Sequence, residues 1–257
     1  MGEFVHQASF RFYAELKDFL PNHYQYGQIS YRFRGEPAVK DAIEAIGVPH
    51  PEVSMILIDG QPAGFDSPLR DGAHVSVFPA FRSLPLEPDL TLQLPALERP
   101  RFVADIHLGQ LSRYLRMIGF DCRYSNQAED AWLAAISSEE NRILLTRDVE
   151  LLKRSLVTRG YYLRAVQPRL QLLEVVRRFD LVEKIQPFQF CMECNGRLEA
   201  VDKEDVWDQL PPSVQHEHER FMRCQGCGRV YWGGSHVDRM QQVIDWLQQE
   251  AGSAGAG

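Results

Sequence analysis

Apolar and polar residues alternate over residues 8–13 and 30–33, which predicts two strands. A helix is predicted over 38–46, closed by Gly47. Two further runs, 53–58 and 74–78, read as strands, with Asp59-Gly60 forming a turn after the first of them. Beyond residue 100 the pattern changes. Residues 102–104 make a short buried strand, and Leu108, Leu111, Leu115 and Ile118 form one apolar helical face that stops at Gly119. A strand over 120–124, a helix over 128–138, a strand over 142–146 and a helix starting near Val149 come next, then a strand over 161–165 and a helix over 170–179. Strand and helix in alternation predict a parallel sheet with helices on its faces. Ligands of such sheets bind outside the carboxyl ends of the strands.

Prolines at 79, 85, 88, 95 and 100 separate the two patterned regions and predict an extended connector, because proline fixes φ and removes a donor. A second boundary falls near Pro187, and the closing Gly-Ser-Ala-Gly-Ala-Gly has nothing to bury and is expected to be disordered. The expected division is therefore 5–82, a linker over 83–100, an α/β domain over 101–186, a small module over 187–247 and a tail over 248–257. The order of hairpin, helix and strands in the first domain resembles the β-grasp fold of ubiquitin-like sulfur carriers. Those carriers end in a flexible Gly-Gly, whereas here the last strand runs into Phe78-Pro79-Ala80-Phe81. Without that tail the domain is expected to be an interaction or positioning module, with a protein as its partner.

Four of the five cysteines form two CxxC pairs, Cys191/Cys194 and Cys224/Cys227, in Cys-Met-Glu-Cys-Asn-Gly and Cys-Gln-Gly-Cys-Gly. Each turn aims two thiolates at one point, and two such knuckles make a tetrahedral zinc site. A redox dithiol would open a helix within a βαβ unit, and disulfides require an oxidising compartment. The start of the chain carries no basic region followed by an apolar run, and no stretch approaches a membrane span, so a cytoplasmic protein without membrane attachment is expected. A closed four-thiolate site leaves no open position for substrate, so this zinc is expected to be structural, and Cys122 to be a core residue.

Two acids sit at strand ends: Asp105 after Phe-Val-Ala, and Asp148 after Ile-Leu-Leu-Thr-Arg. Asp130, with Glu129 beside it, lies in the first turn of the helix after the second α/β-domain strand. If the first and third of these strands are neighbours, the carboxylates converge into a hard oxygen site for Mg²⁺ or Mn²⁺, which can generate hydroxide and neutralise a phosphodiester. Each acid also has a plainer use, as a helix cap or as a complement to the helix dipole.

The run Asp105-Ile-His-Leu-Gly-Gln-Leu-Ser-Arg-Tyr-Leu-Arg-Met-Ile-Gly-Phe-Asp121, the later Ile143-Leu-Leu-Thr-Arg-Asp148 and the four-cysteine module ending Cys224-Gln-Gly-Cys-Gly-Arg-Val-Tyr-Trp-Gly-Gly-Ser-His236 resemble the Mut-seven C-terminal RNase-domain family. That family is a branch of the PIN-domain ribonucleases with a zinc ribbon attached. The resemblance spans 101–247, and the segment before it resembles the ubiquitin-like domain often fused in front. It implies a multidomain α/β protein: an N-terminal α+β β-grasp domain, a central PIN-like α/β/α parallel sheet and a C-terminal zinc ribbon. It also implies hydrolysis of RNA at Asp105, Asp130 and Asp148 holding Mg²⁺ or Mn²⁺, and a homodimer, since related nucleases often pair. A fourth family acid has no counterpart: the strand over 161–165 carries Arg164 and no carboxylate.

The net charge of −7 opposes nucleic-acid binding, but it is segregated: the segments before Pro100 and after Gln186 each carry −5, and the middle carries +3. Arg113, Arg116 and Arg147 lie near the acids and are expected to clamp phosphate, or else to be solvated with local ion pairs. Tyr231 and Trp232 either stack on unpaired bases of single-stranded RNA or fill the core of the zinc module. A metal-dependent ribonuclease is the leading expectation. A non-catalytic RNA-binding or adaptor protein with a degenerate PIN domain is the alternative, and another metal-dependent phosphohydrolase is a third.

Overall fold

The computed structural model describes residues 5–24, 27–80 and 90–252. In chain order its strands are β1 (His6–Phe12), β2 (Ile29–Phe33), β3 (Met55–Ile58), β4 (Gln61–Ala63), β5 (His74–Phe78), β6 (Phe102–Ala104), β7 (Cys122–Tyr124), β8 (Ile143–Thr146), β9 (Gly160–Tyr162), β10 (Leu198–Val201), β11 (Phe221–Cys224) and β12 (Val230–Trp232). The α-helices are α1 (Val39–Ile46), α2 (Gly109–Met117), α3 (Asp130–Glu139), α4 (Val149–Leu152), α5 (Pro168–Arg178), α6 (Pro212–Glu217) and α7 (Ser235–Gly252). The chain divides into two compact units, the first made of Met1–Leu97, Ser137–Glu140 and Thr146–Tyr162, the second of Glu98–Ile136, Asn141–Leu145 and Leu163–Gly257.

The first unit is built on a mixed sheet in the order β2-β1-β5-β3-β4, the β-grasp arrangement expected from the sequence. Strands β1 and β5 run parallel, with Phe10 opposite Val75, and the other neighbours are antiparallel. Alternation along β1 sends Ala8, Phe10 and Phe12 into the core, where they meet Leu16, Ile43, Val75 and Val77. Helix α1 contributes Val39, Ala42 and Ile43, and it stops at Gly47, whose φ of 128° suits a residue without a Cβ. The proline-rich stretch was expected to be a connector. Residues 81–89, with Pro85 and Pro88, lie outside the described residues, and further along Leu92 donates its N–H to the Ser54 carbonyl at 2.7 Å and packs on the β-grasp core.

In the second unit β6 lies between β7 and β8 and is parallel to both, with Ala104 opposite Tyr124 on one side and Leu145 on the other. Every residue of β6 is buried, as in a sheet covered on both faces. Helix α2 buries Leu111 and Leu115 and ends at Gly119, where no other residue fits: φ is 98°, and a Cβ would lie 1.9 Å from the Gln186 carbonyl oxygen. A three-stranded antiparallel sheet, β10-β11-β12, carries the cysteine module. Helix α7 follows it and packs on α5, where Arg169 covers the Trp246 ring at 4.7 Å. This helix reaches Gly252, so residues 248–252 of the expected tail are helical, and 253–257 lie outside the described residues. The cysteine module falls within the second unit rather than forming a unit of its own.

Candidate metal centre and acidic residues

The structure brings the four knuckle cysteines together, with their sulfurs all within 4.8 Å of one another. Cys191 and Cys227 are 3.7 Å apart, and Cys194 and Cys224 are 3.3 Å apart. Tetrahedral coordination at a zinc–sulfur distance of about 2.3 Å sets sulfurs roughly 3.8 Å apart, so this donor set fits such an ion. Backbone N–H groups of Gly196 and Gly226 point at Cys194 and Cys224, and the Tyr231 hydroxyl lies 3.1 Å from the Cys191 sulfur. The chain turns after each knuckle through the left-handed region, at Asn195 (φ 65°) and Gly228 (φ 71°). Glycine is required at 196, where a Cβ would lie 2.8 Å from the Cys224 sulfur. Burial raises the Cys191 thiol, but hydrogen bonds from Tyr231 and the knuckle backbone outweigh it and bring it to about 7, whereas burial pushes Cys194 up to about 12. Four neighbouring thiols ionise together only when a cation balances them.

The first knuckle is fastened to the α/β core. Asn195 donates from Nδ2 to the Asp121 carboxylate at 2.6 Å and accepts the Cys122 N–H at 3.0 Å. Arg142 clamps the same carboxylate with both terminal nitrogens, at 2.8 and 3.0 Å. Burial alone would raise Asp121, but the bonds from Arg142 and Asn195 outweigh it and hold the carboxyl below its ordinary value. Cys122 is the inert core thiol expected, pushed up to about 12 by complete burial.

Of the three arginines expected to clamp phosphate, Arg116 differs most from the expectation. It is 2% exposed, and its guanidinium donates to the carbonyls of Cys122, Met192 and Glu193, each at 2.9 Å. A buried guanidinium needs that many acceptors, and its donors are spent on the knuckle. Arg113 is half exposed and pairs with Glu193 at 3.0 Å. Arg147 is exposed. Tyr231 and Trp232 are partly buried against the two small cores of the cysteine module.

Asp105 ends β6 and is 8% exposed; its Oδ1 accepts the Ile106 N–H at 2.6 Å, and its own N–H reaches the Leu145 carbonyl at 3.0 Å. The turn after it is held by Tyr124, whose hydroxyl donates to the Ile106 carbonyl at 2.9 Å and sits where a Cβ at Gly109 would be. Asp130 opens α3 and is exposed, as is Glu129. Both Asp105 and Asp130 belong to the second unit. Asp148 belongs to the first, where it caps α4: Oδ1 accepts from Glu150 N at 2.8 Å and Leu151 N at 3.2 Å. Capping and cation binding are compatible, because a carboxylate offers about four lone-pair directions. In the segment where the sequence showed no fourth acid, the backbone meets Glu174 of α5, whose two oxygens accept from Arg164 N at 3.0 Å and Ala165 N at 2.9 Å.

The family model described as Mut7-C RNAse domain matches residues 100–244, and the model described as Mut7-C ubiquitin matches residues 5–85. No curated protein and no solved structure matches the chain.

Proposed function

The chain belongs to the Mut7-C RNAse domain family, with its ubiquitin domain in front, and from that premise we propose that it is a divalent-metal-dependent ribonuclease. Asp105, Asp130 and Asp148 are the residues proposed to hold Mg²⁺ or Mn²⁺. The observation that carries this reading is the register of the parallel strands. Ala104, the last residue of β6, faces Leu145, one residue before the end of β8, and Asp105 follows β6 directly. Asp148 follows Leu145 by three residues, so the chain holds its Cα within roughly 11 Å of that residue. The donor set is chemically suited: carboxylate oxygens are the ligands Mg²⁺ and Mn²⁺ prefer.

When bound, such cations lower the pKa of water and neutralise charge on a phosphodiester. The protein's own contribution is to hold the acids aimed: Asp105 through the Ile106 N–H and the Tyr124-locked turn, Asp148 through its cap of α4. Arg147, exposed beside Asp148, is proposed to bind substrate phosphate, with Arg113 joining it on release from Glu193. The four-cysteine centre is proposed to hold zinc and to act structurally, and the protein to work on single-stranded RNA in the cytoplasm. Pairing into a homodimer is part of the same proposal.

One observation favours a second reading, an RNA-binding protein without turnover: residues 161–165 carry no fourth acid, and Glu174, whose carboxylate meets that segment, is engaged with the backbone N–H groups of Arg164 and Ala165. Incubation of the purified protein with mixed RNAs and DNA, with and without Mn²⁺, decides between them. The nuclease reading expects Mn²⁺-dependent RNA cleavage that Asp148→Asn lowers at least about 100-fold while the fold is kept. RNA binding with no Mn²⁺-dependent cleavage in the wild type selects the second reading.

A further inference from the structure

Glu52 is a buried carboxylate on a domain surface. It closes the 3-10 turn His50–Glu52, is 5% exposed, and its Oε1 accepts the backbone N–H of Tyr162 at 2.6 Å, across 110 residues of chain. Removing a carboxylate from water is costly unless hydrogen bonds replace its hydration, so a bond this short carries part of that load. Apolar contacts flank it. The Phe19 ring meets the Tyr162 ring edge-on at 5.2 Å between centroids. A Cβ at Gly160 would lie 3.4 Å from Pro51 Cβ, so β9 rests against the same turn. The same Cβ would lie 2.5 Å from Leu152 Cδ2 of α4 and 3.1 Å from Val157 Cγ1, so α4 and the segment after it meet β9 at the same point as the turn. Glycine at 160 lets the strand press into both neighbours. Helix α4 is the one that Asp148 caps, and all of these residues fall in the first compact unit.

We propose that the ubiquitin-like domain acts in cis on the RNase segment, with Glu52 and Phe19 as positioning residues that seat β9 against α4 and thereby fix the Asp148 carboxylate. This face of the domain then has its own chain as occupant, namely residues 146–162, and a separate protein partner would have to use another face. The proposal rests on the nuclease reading for its consequence, but the contact itself is read without activity.

The test uses the full chain with its structural metal. Glu52→Ala removes the acceptor for the Tyr162 N–H, and Glu52→Gln keeps a carbonyl oxygen for it. Hydrogen exchange in the peptides covering 148–162 is expected to quicken about tenfold or more in Glu52→Ala, with the peptides of β6, β7 and the cysteine module unchanged, and to return toward wild type in Glu52→Gln. In cleavage assays the Ala variant is expected to need several-fold more Mn²⁺ for half-maximal rate and to lose about tenfold in kcat at unchanged KM, with rescue by Gln. Wild-type exchange over 148–162 in the Ala variant overturns the proposal, as does faster exchange with an unaltered Mn²⁺ requirement. So does a uniform rise in exchange across both units that the milder Phe19→Leu reproduces, because that marks a general stability role. A wild type inert toward RNA, with the local exchange response intact, sinks the nuclease reading and supports the mechanical coupling on its own.

Discussion

Asp121 accepts from both terminal nitrogens of Arg142 and from Asn195, and this pairing holds its carboxyl below the ordinary carboxylate value. A group whose folded pKa is lowered stabilises the fold above its unfolded pKa of about 3.9, and that contribution disappears as pH falls through the folded pKa. Asp121→Asn is therefore expected to cost about 2 kcal/mol at pH 7, with the gap between wild type and variant closing below about pH 4. Denaturant titrations of both proteins from pH 7 to pH 3 check this; protonation of the cysteines affects both and cancels in the difference. A gap that stays constant down to pH 3 contradicts it. Nothing in the sequence pattern marked Asp121, Asn195 or Glu52, since each matters through a partner 21 to 110 residues away. Arg116 shows the converse: its spacing after Asp105 suggested phosphate binding, and only the fold reveals its carbonyl partners.

Among the elements, those with a strong local period were legible. Strand β6 and the face of α2 emerge where expected, because burial on both sides of a sheet or on one side of a helix leaves a direct imprint on residue choice. Strand β9 was expected to reach residue 165 but stops at Tyr162, since the N–H groups of Arg164 and Ala165 turn to the Glu174 carboxylate. Strand β4 has three residues, too few for a period, and α7 extends into a stretch whose composition suggested disorder because Met240, Ile244 and Leu247 give it a buried face. The four cysteines of the β10-β11-β12 module lie close enough together to hold a metal ion such as zinc. Elemental analysis is expected to return about one zinc per chain, and chelation to unfold β10-β11-β12 first and to loosen the Arg116 and Asn195 contacts with the core. Spectra and melting behaviour unchanged by complete metal removal would contradict that role.

For the whole molecule, the two family matches, the mixed sheet of the first unit and the parallel strands of the second agree with the multidomain α/β class expected from the sequence. No helix among the described residues is long and apolar enough to cross a membrane. Positive charge concentrates in the middle segment, +3 between flanks of −5 each, which favours phosphate contacts near the acids and disfavours them elsewhere. The acids themselves come from three different elements: the end of β6, the start of α3 and the cap of α4. Their sharing of one cation is the central claim, and Mn²⁺ titration followed by electron paramagnetic resonance tests it most directly, on zinc-loaded wild type and on Asp105→Asn, Asp130→Asn and Asp148→Asn. Each single variant is expected to weaken the same binding event by about tenfold or more. Wild-type Mn²⁺ affinity in both Asp105→Asn and Asp148→Asn would contradict the account.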